Sequence, residues 1–288
     1  CPTSSTCTSS RDTLATMSEW YVDVPGGRLA VHDFGTGPAA LLLHAGIVDS
    51  WAWEPLTPFL LEAGYRVVAF DRRGVGGSTT EDVGYSDRAD TIAVLDALGL
   101  EQAALVGNSI GGQVAVDTAI EFPQRAAAVV AIGSIVPDWW PGMTPEEEAI
   151  EAELDRIGER FDLDALADAE VRAWVDGPGQ PPDRVPEDIR ELVREMDRAI
   201  MANEPYGPPI PLEPPAAEQL GRLTMPVLAV CGELDFSYHV KSAEYLAANA
   251  PDGRAVIMPG VAHMIGLEAP AELGALITEF LAPLPLWR

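Results

Sequence analysis

Among the residues able to do covalent chemistry, Ser109 is singled out by its setting. It lies in Gly107-Asn108-Ser109-Ile110-Gly111-Gly112, directly after the apolar run Ala103 to Val106 and before Gln113-Val114-Ala115-Val116, which opens a helix. A nucleophile on a tight strand-to-helix turn must take a strained backbone conformation, and flanking glycines let strand and helix approach closely enough to hold it. A serine hydroxyl is a weak nucleophile at neutral pH. It needs an imidazole to take its proton, and the imidazole needs a carboxylate to fix its tautomer. Of the four histidines, His32 falls in a hairpin and His239 at a helix start, so both read as surface or packing residues. His263, in Pro259-Gly260-Val261-Ala262-His263-Met264 just past the last apolar run, is the expected base. The acid is expected on the loop Cys231-Gly232-Glu233-Leu234-Asp235-Phe236, with Asp235 favoured and Glu233 in reserve. Acyl transfer also needs two donors aimed at a developing oxyanion. The N–H of Ile110, next to the nucleophile, is one, and the N–H of Ile47, in His44-Ala45-Gly46-Ile47, is the natural second. His44 would then shape that loop without transferring protons.

The elements that must position these residues are legible as periodicity. Trp20 to Val24 alternates, Pro25-Gly26-Gly27 turns the chain, and Arg28 to Phe34 alternates again, which predicts an antiparallel hairpin. Short apolar runs follow at Ala39 to Leu43, Val67 to Phe70, Ala103 to Val106, Ala127 to Ile132, Val227 to Val230 and Ala255 to Met258, separated by helical stretches. Runs of this kind read as strands buried on both faces, hence a mostly parallel sheet between helical layers. From Pro137 to Pro215 the composition changes: the segment holds 13 of the 25 prolines and 21 of the 45 acidic residues against 7 basic ones. Helical periodicity in Glu146 to Phe161 and Glu187 to Ala202 makes it a helical insertion, expected after the fifth parallel strand.

The 288 residues carry 45 acidic against 18 basic side chains, a net charge of −27, with 47% hydrophobic residues. That much apolar material excludes disorder as the main state. A surface so negative repels phosphate backbones and anionic lipid, so neither nucleic acid nor membrane is an expected partner. No apolar run approaches the ~18 residues of a membrane span, and the location expected is cytoplasmic. Three cysteines make no disulfide framework, and Cys231 reads as a small core residue. Residues 1–16, polar and rich in Ser and Thr, read as a disordered leader or vector remnant. There is no Cys pair, no His-Glu-x-x-His and no calcium-loop spacing, so no metal is expected. Gly74-Val75-Gly76-Gly77 lacks the spacing of a dinucleotide site, so no cofactor is expected.

From Trp20 onward the chain resembles the α/β-hydrolase superfamily. The likeness is carried by the His44-Ala45-Gly46 turn, the Asp71-Arg72-Arg73-Gly74-Val75-Gly76-Gly77-Ser78 loop, the Ser109 elbow, the Gly232 to Asp235 segment and the His263 loop, in that order. The resemblance implies an α/β fold whose core spans residues 17–136 and 216–288, with residues 137–215 as a helical cap over the site. It implies a cofactor-free serine hydrolase using Ser109, His263 and Asp235, with Ile47 and Ile110 at the oxyanion. The substrate is expected to be a small, largely uncharged ester or lactone. Carbon–carbon bond hydrolases and cofactor-free haloperoxidases or perhydrolases share the same three residues, and a receptor-like ligand binder with little turnover is the alternative of another class. Members with an Asp nucleophile cleave epoxides or carbon–halogen bonds, and Ser109 at that position argues against both. His44, Gly46, Trp51, Trp139 and Trp140 are expected around the pocket, and a homodimer is left open.

Overall fold

A computed structural model describes residues 18–203 and 207–284; the expected leader, residues 1–16, lies outside them. The chain begins with the hairpin β1 (Ser18–Val24) and β2 (Gly27–Phe34), closed where Val24 pairs with Gly27 and Gly26 takes a φ of 71°. Then come β3 (Ala39–Leu43), α1 (Thr57–Glu62), β4 (Arg66–Phe70), β5 (Thr79–Thr80), α2 (Asp87–Ala97), β6 (Ala103–Asn108), α3 (Ile110–Glu121) and β7 (Ala126–Ile132). The insertion supplies α4 (Pro145–Gly158), α5 (Leu163–Glu170), a π-helical turn over Val171–Asp176, and α6 (Glu187–Met201). The chain closes with β8 (Val227–Gly232), α7 (Ser237–Asn249), β9 (Gly253–Met258), α8 (Ile265–Glu268) and α9 (Pro270–Leu281).

The strands form one sheet in the order β1-β2-β4-β3-β6-β7-β8-β9, with β5 on β2. Pairing is antiparallel at β1–β2 and β2–β4 and parallel from β4 to β9. This is the expected mostly parallel α/β sheet with an N-terminal hairpin. The insertion, however, follows β7, the fourth parallel strand in chain order and not the fifth, because β2 runs antiparallel to β4 and belongs to the hairpin. Strands β3, β6 and β8 are buried along their whole length. Their residues alternate between two apolar layers: Leu41 and Leu43 meet Val94 of α2 and Ile120 of α3, while Leu42 meets Leu60 of α1 and Ile277 of α9. Each fully buried leucine of this kind contributes about 1.5–3 kcal/mol, so the centre of the sheet is the main apolar core of the molecule. The edge strand β9 is exposed at its start.

The insertion is tied to the core at several points. Glu147 of α4 accepts the Ser237 hydroxyl at 2.8 Å, and the Tyr238 hydroxyl reaches Glu151 at 3.1 Å. The Arg184 guanidinium donates to the Asp176 and Val175 carbonyls at 2.7 Å each and to Glu268 of α8. Among the described residues no helix is long and apolar enough to cross a membrane.

Candidate active site

Ser109 sits between the last residue of β6 and the first of α3, with φ 55° and ψ −120°. A non-glycine residue there stores about 1–3 kcal/mol of backbone strain, so the surroundings must hold it. Its N–H donates to the Ile132 carbonyl of β7 at 2.7 Å. The glycines on either side are required by contact: a Cβ on Gly107 would stand 2.1 Å from the Gly111 carbonyl oxygen, and one on Gly111 would stand 2.1 Å from that of Leu43. Strand, turn and helix are thus packed backbone to backbone, and the serine is pushed out of the turn, half-buried.

The parallel strands deliver the partners at the same end of the sheet. His263 follows β9 and Asp235 follows β8; both are buried, and His263 Nδ1–H donates to Asp235 Oδ2 at 2.8 Å. The His263 loop is fastened to the elbow through Asn108, whose side-chain amide donates to the His263 carbonyl at 3.3 Å and to that of Ile132 at 3.1 Å. Gly133, directly after β7, has φ 52°, and a Cβ there would lie 2.9 Å from His263 Nδ1 and 3.2 Å from Asp235 Oδ2. No hydrogen bond joins Ser109 to His263 among the described residues, a looseness common before a substrate tightens the site. Asp235 also accepts the Phe236 N–H at 2.7 Å. Burial works to raise the Asp235 pKa, but the His263 and His239 imidazoles outweigh it and hold the carboxyl well below the usual range. The acid is therefore ionised and its Oδ2 fixes His263 as the Nδ1–H tautomer, leaving Nε2 free to accept a proton.

His44 is fully enclosed between β3 and the loop after β4. Its Nε2 accepts the Arg72 N–H at 2.9 Å, so Nδ1 carries the hydrogen and donates to the Ala45 carbonyl at 2.7 Å. Burial, helped by the Arg72 guanidinium, lowers its pKa to about 3. It is a neutral cross-link between the end of β3 and the loop after β4. Among the described residues neither the Ile47 nor the Ile110 N–H has an acceptor, and the contact of Gly111 with Leu43 and His44 sets the two loops side by side. Glu233, the reserve acid, is exposed and accepts the Gly260 N–H at 3.0 Å, away from His263.

The expected aromatic wall is placed differently. Trp51 lies on His32 of β2, with ring centroids 4.6 Å apart, and lines a small cavity with it. Trp139 stacks on Tyr245 of α7 at 4.1 Å and packs into the core layer, while Trp140 is 56% exposed beside Tyr238. Among the described residues none of these rings is paired with that of His263. Trp174, in the π-helical turn, does lie beside it, 5.0 Å from His263 and 4.7 Å from Phe236. Gly46 is exposed on its loop. His239, read from sequence as a surface or packing residue, is instead buried against the site: its Nδ1 is 3.0 Å from Asp235 Oδ1, and its ring stacks on His263 at 4.7 Å. The i, i+4 spacing of Asp235 and His239 at a helix start was the available signal. These three are also the described residues whose ligand atoms lie near enough to hold a metal, within 4.8 Å of one another, and in the structure the carboxylate oxygens are engaged by the imidazole N–H groups. Cys231 is buried, its thiol pushed well up by burial, with Sγ 3.5 Å from Asp235 Oδ2.

Residues 40–276 match the Alpha/beta hydrolase family. The chain is 31% identical to 2-(acetamidomethylene)succinate hydrolase of Mesorhizobium japonicum over 277 residues, covering 90% of this chain and 94% of that protein. It is 27% identical to bifunctional epoxide hydrolase 2 of Sus scrofa over 92% of its length, and it spans about half of that relative, 55%. The solved esterase EaEST of Exiguobacterium antarcticum superposes with a TM-score of 0.75 at 18% identity, covering 92% of this chain and all of that one. With the family match extending over most of the sheet and the elbow in its expected place, the chain belongs to the α/β hydrolase family.

Proposed function

We propose that this α/β hydrolase cleaves a carboxylic ester or lactone of a small, largely uncharged substrate through an acyl-enzyme on Ser109. The observation that carries the reading is the buried Asp235–His263 hydrogen bond of 2.8 Å on a loop fastened by Asn108 to the strained Ser109 turn. In this reading His263 Nε2 takes the Ser109 proton as Oγ attacks the carbonyl carbon. The carbonyl π electrons move to oxygen, and the Ile47 and Ile110 N–H groups receive that oxyanion. Collapse breaks the bond to the alkoxy group, which leaves with the proton from His263. Water, deprotonated by the same nitrogen, then releases the acid and restores Ser109. A neutral substrate is favoured by the apolar ring of Trp174 beside His263, backed by Phe236, and by the net charge of −27.

The insertion serves as the cap in this reading: its Trp174 lies on the catalytic histidine, and most of its carboxylates face water, with Glu147, Asp176 and Asp197 buried. The test is turnover of a panel of p-nitrophenyl esters and lactones by purified protein. Multiple turnovers that vanish in Ser109→Ala support hydrolysis at this site. Turnover that persists in Ser109→Ala, or no turnover of any ester or lactone by the folded wild type, overturns it.

A further inference from the structure

We propose that His239 is a second imidazole positioning Asp235, and that by sharing this carboxylate with His263 it sets the lower edge of the pH range in which the site works. The inference rests on the reading of Ser109, His263 and Asp235 given above.

The geometry is that of one carboxylate serving two rings. Oδ2 accepts the His263 Nδ1–H at 2.8 Å, while Oδ1 accepts the His239 Nδ1–H at 3.0 Å together with the Phe236 N–H at 2.7 Å. The two imidazoles lie over each other, 4.7 Å apart at 27°, both buried, with Trp174 across them at 5.0 and 5.9 Å. Two charged rings at that separation, out of water and facing a single negative charge, would repel strongly. Only one can hold the extra proton, and the mechanism needs that one to be His263. His239 meets the requirement: its burial disfavours the charged form, an effect that Asp235 offsets only in part. The other groups facing it do not change this. Glu147 of α4 is committed to the Ser237 and Thr144 groups, Glu151 is held by the Tyr238 hydroxyl, and the Tyr238, Phe236 and Trp174 rings carry no charge.

A neutral N–H donated to Oδ1 has two consequences. It adds a second anchor to the carboxylate plane, so that Oδ2 stays aimed at His263. It also draws negative charge toward Oδ1, which weakens the pull of Oδ2 on the imidazolium that forms during turnover. Without this donor the acid limb of the site's reactivity should move to higher pH.

The experiment measures the rate of inactivation by a fluorophosphonate probe against pH, which reports Ser109 and its base without a substrate. Ser109→Ala comes first: labelling that survives it overturns the site itself, separately from the present inference. His239→Asn keeps an N–H near the position of Nδ1, and His239→Gln moves it to that of Nε2; both retain an amide of similar polarity. The expected result is an acid limb in His239→Asn close to wild type, and one in His239→Gln displaced upward by about half to one pH unit. His239→Leu, which has no donor, should move the limb in the same direction. If His239→Leu does not fold, the Asn and Gln pair decides alone. Limbs that coincide in wild type, Asn and Gln variants, whatever their plateau rates, would show that His239 is packing and would overturn the proposal.

Discussion

Replacing Gly111 with Ala puts the close approach of elbow and oxyanion loop to a quantitative test. The added Cβ would stand 2.1 Å from the Leu43 carbonyl oxygen, 2.6 Å from its carbon and 2.7 Å from the His44 carbonyl oxygen. An ordinary carbon–oxygen contact is about 3.3 Å, so the overlap exceeds ~1 Å. All three atoms are backbone at the end of β3, so no side-chain rotation relieves it, and either α3 or the loop at His44 to Ile47 must move by about that amount. Overpacking costs roughly 1–3 kcal/mol, and the absence of a flexible neighbour places this case near 3. An unfolding entropy of about 2.1 cal/mol/K per residue over 288 residues converts that to a fall in Tm of about 5 °C. A displacement of ~1 Å between the nucleophile and the oxyanion donors should lower kcat/KM about 100-fold. Gly46→Ala is the control, since a Cβ there meets nothing within 4 Å; its Tm should stay within ~1 °C. Calorimetry and p-nitrophenyl ester turnover read both variants. A Gly111→Ala protein with wild-type Tm and activity would refute the packing from which the elbow's strain was argued.

Three further outcomes follow from groups outside the nucleophile. His44 has its pKa lowered from 6.5 to about 3, first by burial and then by Arg72. Above pH 6.5 it is neutral folded or unfolded, but as pH falls toward 3 the unfolded chain takes a proton that the folded one refuses. Stability should therefore drop by ~2 kcal/mol between pH 7 and 5, and urea unfolding of His44→Gln should show that much less acid sensitivity; equal slopes would contradict it. Asp197 of α6, 2% exposed and facing Glu170 of α5, has its pKa raised to about 9 by burial and by that neighbouring carboxylate. Its favourable state, the protonated one, is fully present below pH 3.8 and lost as pH rises toward 9, so Asp197→Asn should stabilise the protein at pH 8 and leave it unchanged at pH 3.5. Unfolding midpoints that shift equally at both values would refute this. The bidentate Arg73–Asp90 pair, 2.6 and 2.8 Å and almost wholly buried, should cost about 3–5 kcal/mol when broken by Arg73→Ala, with most of it recovered in Arg73→Met with Asp90→Leu. A single variant as stable as wild type would count against it.

The parts of the fold that the sequence made legible are those where one local rule dominates. Leu41-Leu42-Leu43, Ala103 to Val106 and Val227 to Val230 are buried on both faces, and burial on both faces leaves an uninterrupted apolar run as its trace. Ser109 and Asp235 each follow such a run, whereas His263 follows the edge strand β9, which is exposed at its start. The structure adds what no local pattern carries. Strand β5 is two residues long, too short to show a period. Trp139 and Trp140 sit at the start of the insertion but pack on Tyr245 and Tyr238, while Trp174, some 35 positions later in the chain, covers His263. Which side of an inserted helical segment faces the site depends on how it docks, and an apolar stripe on each helix does not say which neighbour it meets. His239 was hidden for a different reason. A histidine at a helix start reads as a surface residue unless the aspartate four positions before it is recognised as buried, and that burial comes from Phe236, Trp174 and His263 in three different parts of the chain.

A fluorophosphonate probe followed by peptide mapping bears most directly on the claim that Ser109 and His263 act together. One label per chain is expected, on the peptide that carries Ser109, because in this account its hydroxyl is the one activated by His263, whose ring a buried carboxylate holds. In a folded His263→Ala protein the labelling rate should fall by about 10³-fold or more. Label on another residue, no label on folded wild-type protein, or an undiminished rate in His263→Ala would contradict it.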